Sequence, residues 1–388
     1  MAEDKARIYF DNAASSHPKP EEVYLAIERA TRDLGANPGR GTHHLAVAAQ
    51  EAVEDSRKAV AALLGVKEPA RIVFTLNATD ALNMALHGCL RPMARVVTTS
   101  LEHNAVWRPL CALRDEMGID IHTLPTPSGA AFALDDLAAA LRGGCDLLVM
   151  THASNVSGAL MPVVEACRLA HEAGAMVLVD AAQTAGTVPI DLEEAGFDLV
   201  AFSGHKGLLG PQGVGGLYVR PGLSLKPFRR GGTGGQSAAE DMPAQLPQRL
   251  EAGTLNGPGI AGVGAGARFL WRTGVNVVRQ HELTLRERLR RGLLEIPGVV
   301  VYGPADPVDT VGVLSFNLRN ADPLTVGNVL DEVFGVMVRT GLHCAPQAHR
   351  SLGTFPRGTV RVGIGFFNTE QEVDYLCESV RSMASDLI

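Results

Sequence analysis

The sequence predicts an α/β protein: a mainly parallel sheet in a large domain, followed by a smaller α+β domain. Three observations predict this. Short apolar runs alternate with longer helical patterns up to about residue 219. Several of these runs end in polar residues, as at Val177-Leu-Val-Asp180 and Val200-Ala-Phe-Ser203. A stretch rich in Gly, Pro, Arg and Gln at 220–259 then breaks the alternation, and a different succession follows it.

The elements follow in order. Leu45, Ala49, Val53, Val60 and Leu64 recur at helical spacing, and Gly65 closes that helix. Strand patterns at 71–75, 95–99, 119–124, 146–150, 176–179, 199–202 and 214–219 alternate with helical patterns at 79–87, 104–117, 134–141 and 162–173. Gly118 and Gly174 follow two of these helices, and Pro162 opens one. Beyond the break, helices are predicted at 259–272, 275–294 and 323–334, and strands at 299–302, 311–317, 336–339 and 359–362. The last helix starts at Thr369, with Glu372 three residues on as a capping box. The large domain is therefore expected at 15–258, and the small one at 259–388 together with 1–14.

Composition narrows the function. The 388 residues are 46% apolar and 20% charged, an ordinary globular balance. A formal net charge of −7 argues against nucleic acid or an anionic membrane as the partner. No apolar run reaches the ~18 residues of a membrane span. Cys89, Cys111, Cys145, Cys167, Cys344 and Cys377 form no CxxC pair, which suits a reducing compartment. The opening Met-Ala-Glu-Asp-Lys-Ala-Arg has no apolar secretory core, so a cytoplasmic protein is expected.

The chemistry concentrates at strand ends, where open α/β sheets bind ligands. If the strands ending at Asp180 and Ser203 are neighbours, Asp180 and Lys206 face one crevice. A desolvated Lys suits Schiff-base formation, and a carboxylate beside it suits a pyridinium nitrogen. A solvated Lys and a turn-capping Asp are the plainer alternatives. Asn77-Ala-Thr79-Asp80, between strand and helix, offers a hydroxyl and helix N-terminal amides to a phosphate, and Ser203 and His205 add donors. No Walker A or GxGxxG pattern follows a strand. His103 follows another strand, and is suited either to stacking on a planar cofactor or to capping a helix. Arg339-Thr-Gly-Leu-His343-Cys344 places a Cys beside a His on a Gly-containing loop, a setting for an activated thiolate. His343, Cys344 and His349 lack a fourth ligand at zinc spacing, so no metal is expected. Arg361 is a charge in an apolar strand and calls for a carboxylate from protein or substrate.

Taken together, these residues resemble the cysteine desulfurase and selenocysteine lyase family of class V aminotransferase-fold enzymes. The resemblance runs through Tyr9-Phe-Asp-Asn-Ala-Ala14, Thr151-His-Ala-Ser-Asn155, Asp180-Ala-Ala-Gln183, Ser203-Gly-His-Lys206, Glu251-Ala-Gly-Thr254-Leu-Asn256, the Arg339–Cys344 loop, Arg361 and Phe367-Asn-Thr369. It implies a fold type I transferase dependent on pyridoxal 5'-phosphate. Lys206 would carry the cofactor, Asp180 its ring nitrogen and Gln183 its ring oxygen. His103 would stack on the ring. Thr79, Ser203 and His205 would hold the phosphate, joined by Thr254 from a second subunit of a homodimer. Asn155, Arg339 and Arg361 would bind the substrate, and Cys344 would take its sulfur as a persulfide. The implied substrate is L-cysteine or L-selenocysteine. The implied partner is a sulfur-acceptor protein, as in sulfur mobilisation for iron–sulfur cluster assembly. Three positions depart from the family pattern: Leu342 replaces a His, Asn77-Ala-Thr79-Asp80 replaces Gly-Thr-Thr-Glu, and Asn104 replaces a second His. Selenocysteine lyase, another C–S lyase or an epimerase of the same fold remain alternatives, as does a cofactor-free scaffold that binds a sulfur carrier.

Overall fold

A strand that is apolar on both faces needs cover on both. The segment Met176–Asp180 is one: Val177 and Val179 belong to one buried cluster and Leu178 to another. In the computed structural model, which describes residues 7–39, 41–235, 238–319 and 321–387, it is the central strand of a seven-stranded sheet. Residues 1–6, on which the expectation of no secretory leader rests, lie outside the described residues.

In chain order the first elements are β1 (Ile8–Tyr9), α1 (Glu21–Arg32), α2 (His44–Leu63), β2 (Ile72–Thr75), α3 (Ala78–Cys89), β3 (Arg95–Thr99), α4 (Asn104–Met117) and β4 (Asp120–Leu124). Next come α5 (Leu134–Leu141), β5 (Leu147–Thr151), α6 (Val163–Glu172), β6 (Met176–Asp180), β7 (Leu199–Ser203) and β8 (Gly215–Val219). After the long loop follow α7 (Gly257–Thr273), α8 (Val275–Leu294), β9 (Val299–Tyr302), β10 (Val313–Leu318) and α9 (Pro323–Phe334). The last are β11 (Val336–Met337), β12 (Arg339–Gly341), α10 (Pro346–Ser351), β13 (Thr359–Gly363) and α11 (Glu370–Leu387).

The large sheet has the order β2-β8-β7-β6-β5-β3-β4. Its neighbours from β7 to β4 pair in parallel, while β8 runs antiparallel to both β7 and β2. One face packs on α2, α5, α6 and α7, and the other on α3 and α4. A second, antiparallel sheet in the order β12-β13-β10-β9 packs with α8, α9 and α11. Helix α7 also packs against α1 and α2. A Cβ at Gly264 would strike Ser56 of α2, so only glycine allows that approach.

Local signals are visible at the helix ends. Thr369 and Glu372 form the expected capping box, with Thr369 N–H donating to Glu372 Oε2 at 2.9 Å and Glu372 N–H to Thr369 Oγ1 at 3.2 Å. Helix α4 ends on Gly118 at φ 67°, a left-handed C-cap. The expected single strand at 336–339 is two short strands in different sheets, because β11 pairs with β1 while β12 pairs with β13. Helices α1 and α10 have no counterpart in the periodicity; α1 buries only Val23 and Ala30.

The long loop before α7 is tied back by one carboxylate. Glu251 accepts from Arg57 Nη1 at 2.7 Å, from Arg57 Nη2 at 3.0 Å and from Phe74 N–H at 2.6 Å, and both charged side chains are buried. The N-terminal segment is a clasp between the sheets. Asp11 bridges to Gly363, and Ser16 N–H donates to His205 O at 3.0 Å. Among the described residues no helix is long and apolar enough to cross a membrane.

Candidate active site

Strands β5, β6 and β7 are parallel neighbours, with Thr151 opposite Asp180 and Asp180 opposite Ala201. Their carboxyl ends therefore open into one crevice, as open α/β sheets do. The crevice is a cavity of about 270 Å³ whose wall includes Thr79, His103, Asn155, Asp180, Gln183, Ser203, His205 and Lys206. Thus all but one of the residues expected to bind a cofactor meet there. The exception is Thr254, which is exposed and accepts from Asn37 Nδ2 at 3.2 Å.

Each wall residue has a local cause. Asn77, not Thr79, is the N-cap of α3, and its side chain accepts from Asp80 N–H at 2.9 Å. The N–H groups of Ala78 and Thr79 have no partner among the described residues and open the helix toward the cavity. His205 adds a buried Nδ1 without a partner. Amides at a helix N-terminus, a hydroxyl and an unpaired imidazole make a phosphate-type donor set.

His103 both caps and faces the cavity. As N-cap of α4 its Nδ1 accepts from Ala105 N–H at 3.0 Å, which places the ring proton on Nε2. Burial, then the nearby Lys206 and Arg339 charges, pull its pKa down to about 4, so the ring is neutral.

Asp180 and Lys206 are shaped mainly by desolvation. Burial raises the Asp180 pKa, while the Ala182 N–H at 2.9 Å and the Lys206 charge pull it back. Burial lowers the Lys206 pKa to about 8; Asp180 opposes this, and Arg361 and Arg339 add to it. An amine so depressed is available as a nucleophile and base near neutral pH.

Glu102 was not among the expected site residues. It is 1% exposed, and its Oε1 accepts from Thr99 Oγ1 at 2.6 Å and Thr151 N–H at 3.0 Å. Burial pushes its pKa up to about 8, so it is mostly protonated at neutral pH, and it ties the ends of β3 and β5 together beneath the cavity. An acidic residue directly after an apolar strand and before His103 was the signal for it.

A second cluster lies beside the cavity rather than on its wall. The loop after β12 carries His343 at φ 46° and Cys344 at φ 58°, left-handed backbone that non-glycine residues adopt only when held. Two bonds dock it: Asn155 Nδ2 donates to His343 O at 2.7 Å, and Asn104 N–H donates to Cys344 O at 2.7 Å. Cys344 is exposed, and Arg339 Nη2 is 3.7 Å from its Sγ. Of the two expected sources of thiolate stabilisation, His343 or the local field, the geometry does not favour the histidine. His343 is 2% exposed with Nε2 at 3.2 Å from both Thr359 O and Oγ1, and burial holds its pKa well below the usual range. The cation at the sulfur is Arg339.

Arg361 is 1% exposed and already has a protein carboxylate: Nη2 donates to Asp11 Oδ1 at 2.8 Å. Its Nη1 donates to Asn155 O at 3.1 Å, and its buried Nε has no partner. Through Asn155 it braces the cavity wall.

This donor set fits pyridoxal phosphate: a desolvated amine for an aldehyde, a buried carboxyl for a ring nitrogen, and unpaired amides and an imidazole for a phosphate. Residues 8–376 match the aminotransferase class-V family. A protein of Methanothermobacter thermautotrophicus named a probable cysteine desulfurase is 36% identical, over 97% of this chain and 94% of its own length. A cysteine desulfurase of Escherichia coli is 33% identical, over 95% of this chain and 91% of its own. Among solved structures, the apo form of a cysteine desulfurase from Thermococcus onnurineus superposes with a TM-score of 0.92 at 32% identity, covering 98% of this chain and 95% of that one.

Proposed function

The chain belongs to the class-V aminotransferase family, and from that premise we infer its reaction: it is a pyridoxal phosphate-dependent cysteine desulfurase. L-Cysteine and a protein thiol give L-alanine and a protein persulfide. The substrate C–S bond breaks, an S–S bond forms on the protein, and the hydrogens of the two thiols are redistributed between alanine and the persulfide.

The cofactor, when bound, supplies an aldehyde for amines and a ring that stores the electron pair released at a substrate carbon. The residues of this chain do the rest. Lys206 would hold the cofactor's aldehyde, and its Nζ would take the substrate Cα proton. Asp180 would pair with a ring nitrogen, and neutral His103 would stand against the ring. Ala78 and Thr79 amides, Ser203 and His205 would hold the phosphate. Asn155 and Arg361 receive the substrate carboxylate, and Cys344 takes the sulfur at Sγ.

What supports a desulfurase over other reactions of the same cofactor is the Cys344 thiol. It is exposed, held in left-handed backbone on a loop docked beside the cavity, and faced by Arg339. The assay that tests the function measures alanine and sulfide from L-cysteine beside selenide from L-selenocysteine. Alanine from cysteine at a rate set by Cys344 is the expected result. Cysteine-independent yellow protein with selenide release alone would favour a selenocysteine lyase, and protein that takes up no cofactor would favour a scaffold.

The same proposal includes a cytoplasmic homodimer that passes sulfur to an acceptor protein, as iron–sulfur cluster assembly requires. Supporting the dimer, Thr254 is exposed, α1 displays Tyr24 and Leu25 at 43% and 55% exposure, and Trp271 of α7, 65% exposed, lines a groove of about 820 Å³. It also includes a division into units 15–258 and 259–388 with 1–14.

A further inference from the structure

The long loop between β8 and α7 sets out along α3. Lys226 N–H donates to Gly88 O at 3.1 Å near the end of that helix, and the Phe228 ring lies 5.0 Å from the His87 ring. The approach needs glycine: a Cβ at Gly88 would come within 3.1 Å of Leu225 Cβ and 3.2 Å of Lys226 O. Laid out in this way, the loop sends Arg229 to the other end of α3, where its Nη2 donates to Asp80 Oδ2 at 2.7 Å.

Asp80 belongs to the turn that opens its amides toward the cavity. Its Oδ2 also accepts from Leu76 N–H at 2.9 Å, while Asn77 Oδ1 accepts from Asp80 N–H at 2.9 Å. The two side chains close the turn and leave the Ala78 and Thr79 N–H groups for a ligand. Closing it with an acid brings a charge. The donors of the phosphate-type set carry none: they are amides, the Ser203 hydroxyl, and a His205 ring whose pKa burial, then Lys206 and Lys19, pull down to about 4. Asp80 follows Thr79 directly, its side chain is 12% exposed, and its sign is that of a phosphate. Charges so poorly screened, on one helix end, repel. Lys19 stands at the β7 end, with Nζ on Ser16 Oγ at 2.7 Å and His205 O at 3.0 Å. The cation paired at the α3 end is Arg229.

We propose that Arg229 is a positioning residue for the phosphate: by pairing with Asp80 it lets the carboxylate close the turn without repelling a phosphate at the same helix end. This balance rests on the reading of the cavity as a pyridoxal phosphate site. Arg229 is not on the cavity wall and acts through Asp80. Arginine suits the task, because its fork of donors can approach a carboxylate oxygen that already holds a backbone N–H.

The test measures binding of two aldehydes to the cofactor-free protein, from the visible band each forms: pyridoxal phosphate, and pyridoxal, which lacks the phosphate. Arg229→Gln removes the charge and keeps a donor. It should weaken pyridoxal phosphate about tenfold, the lower end for stripping a partly buried charge of its partner. Its affinity for pyridoxal should match the parent's. Asp80→Asn keeps an acceptor for Leu76 N–H and should bind pyridoxal phosphate at least as tightly as the parent. The double variant should return close to the parent, because neither charge is left alone. A brace with no electrostatic role gives a different pattern: each single variant binds both aldehydes more weakly, and the double variant recovers nothing. That pattern, or an Arg229→Gln protein that binds pyridoxal phosphate as tightly as the parent, overturns the inference. A parent protein that takes up neither aldehyde overturns the reading of the cavity, and the balance with it.

Discussion

Arg339 holds a guanidinium nitrogen 3.7 Å from the Sγ of Cys344, while the adjacent His343 turns away to Thr359. The charge facing the sulfur on this loop is therefore arginine's. Arg339→Gln should slow persulfide formation by roughly 10–100-fold, as for a lost charge-assisted contact of ~1.5–3 kcal/mol, with cofactor binding retained. Rapid-quench kinetics with L-cysteine read this. A rate unchanged in Arg339→Gln but collapsed in His343→Gln would return the role to the histidine.

Lys206 destabilises the fold that holds it. Its pKa falls from 10.5 unfolded to about 8 folded. Below pH 8 the amine is charged in both states, and the folded state bears the full cost of burial. Between 8 and 10.5 the folded amine is neutral while the unfolded one stays charged, so that cost fades; above 10.5 it is gone. Cofactor-free Lys206→Met should therefore be more stable than the parent at pH 7, by up to about 3 kcal/mol. The advantage should shrink toward zero as pH rises to 10.5. Denaturant melts across this range check it; an advantage independent of pH would contradict the burial argument.

Arg361 is expected to serve the substrate carboxylate, although Asp11 already holds one of its nitrogens at 2.8 Å. Arg361→Lys keeps the charge and loses the planar fork. KM for L-cysteine should rise about tenfold or more, from a lost pair of ~1.5–3 kcal/mol. An unchanged KM, with lowered stability instead, would leave Arg361 as an ion pair that only braces Asn155 and Asp11.

The dimer reading predicts concentration dependence. Thr254 is expected at the active site yet lies exposed beside Asn37, outside the cavity of its own chain. Dilution that separates subunits should lower specific activity together with molecular mass in light scattering. A fully active monomer would remove Thr254 from the site.

Much of this site was legible because its residues sit where sequence periodicity ends. Asp180 and Lys206 follow apolar strands that are parallel neighbours, so one strand order brought them together. Other parts depend on contacts no period encodes. Glu251 appeared as part of a motif with a site residue, but its place is a buried pair with Arg57 that fastens the long loop. Glu102 was marked in sequence only by its place after an apolar strand; its isolation from water comes from the pairing of β3 with β5, whose ends it ties together. The single predicted strand at 336–339 split because β1, far away in sequence, takes its first half.

The central claim is that the sulfur of L-cysteine moves to Cys344. The most direct measurement is mass spectrometry of peptides after a single turnover of the holoenzyme, with the parent protein beside Cys344→Ala. The account predicts one added sulfur on the Cys344 peptide of the parent. It predicts no persulfide and no alanine from Cys344→Ala, which still binds cofactor. Undiminished alanine release from Cys344→Ala, or the added sulfur on Cys89 or Cys377, would contradict it.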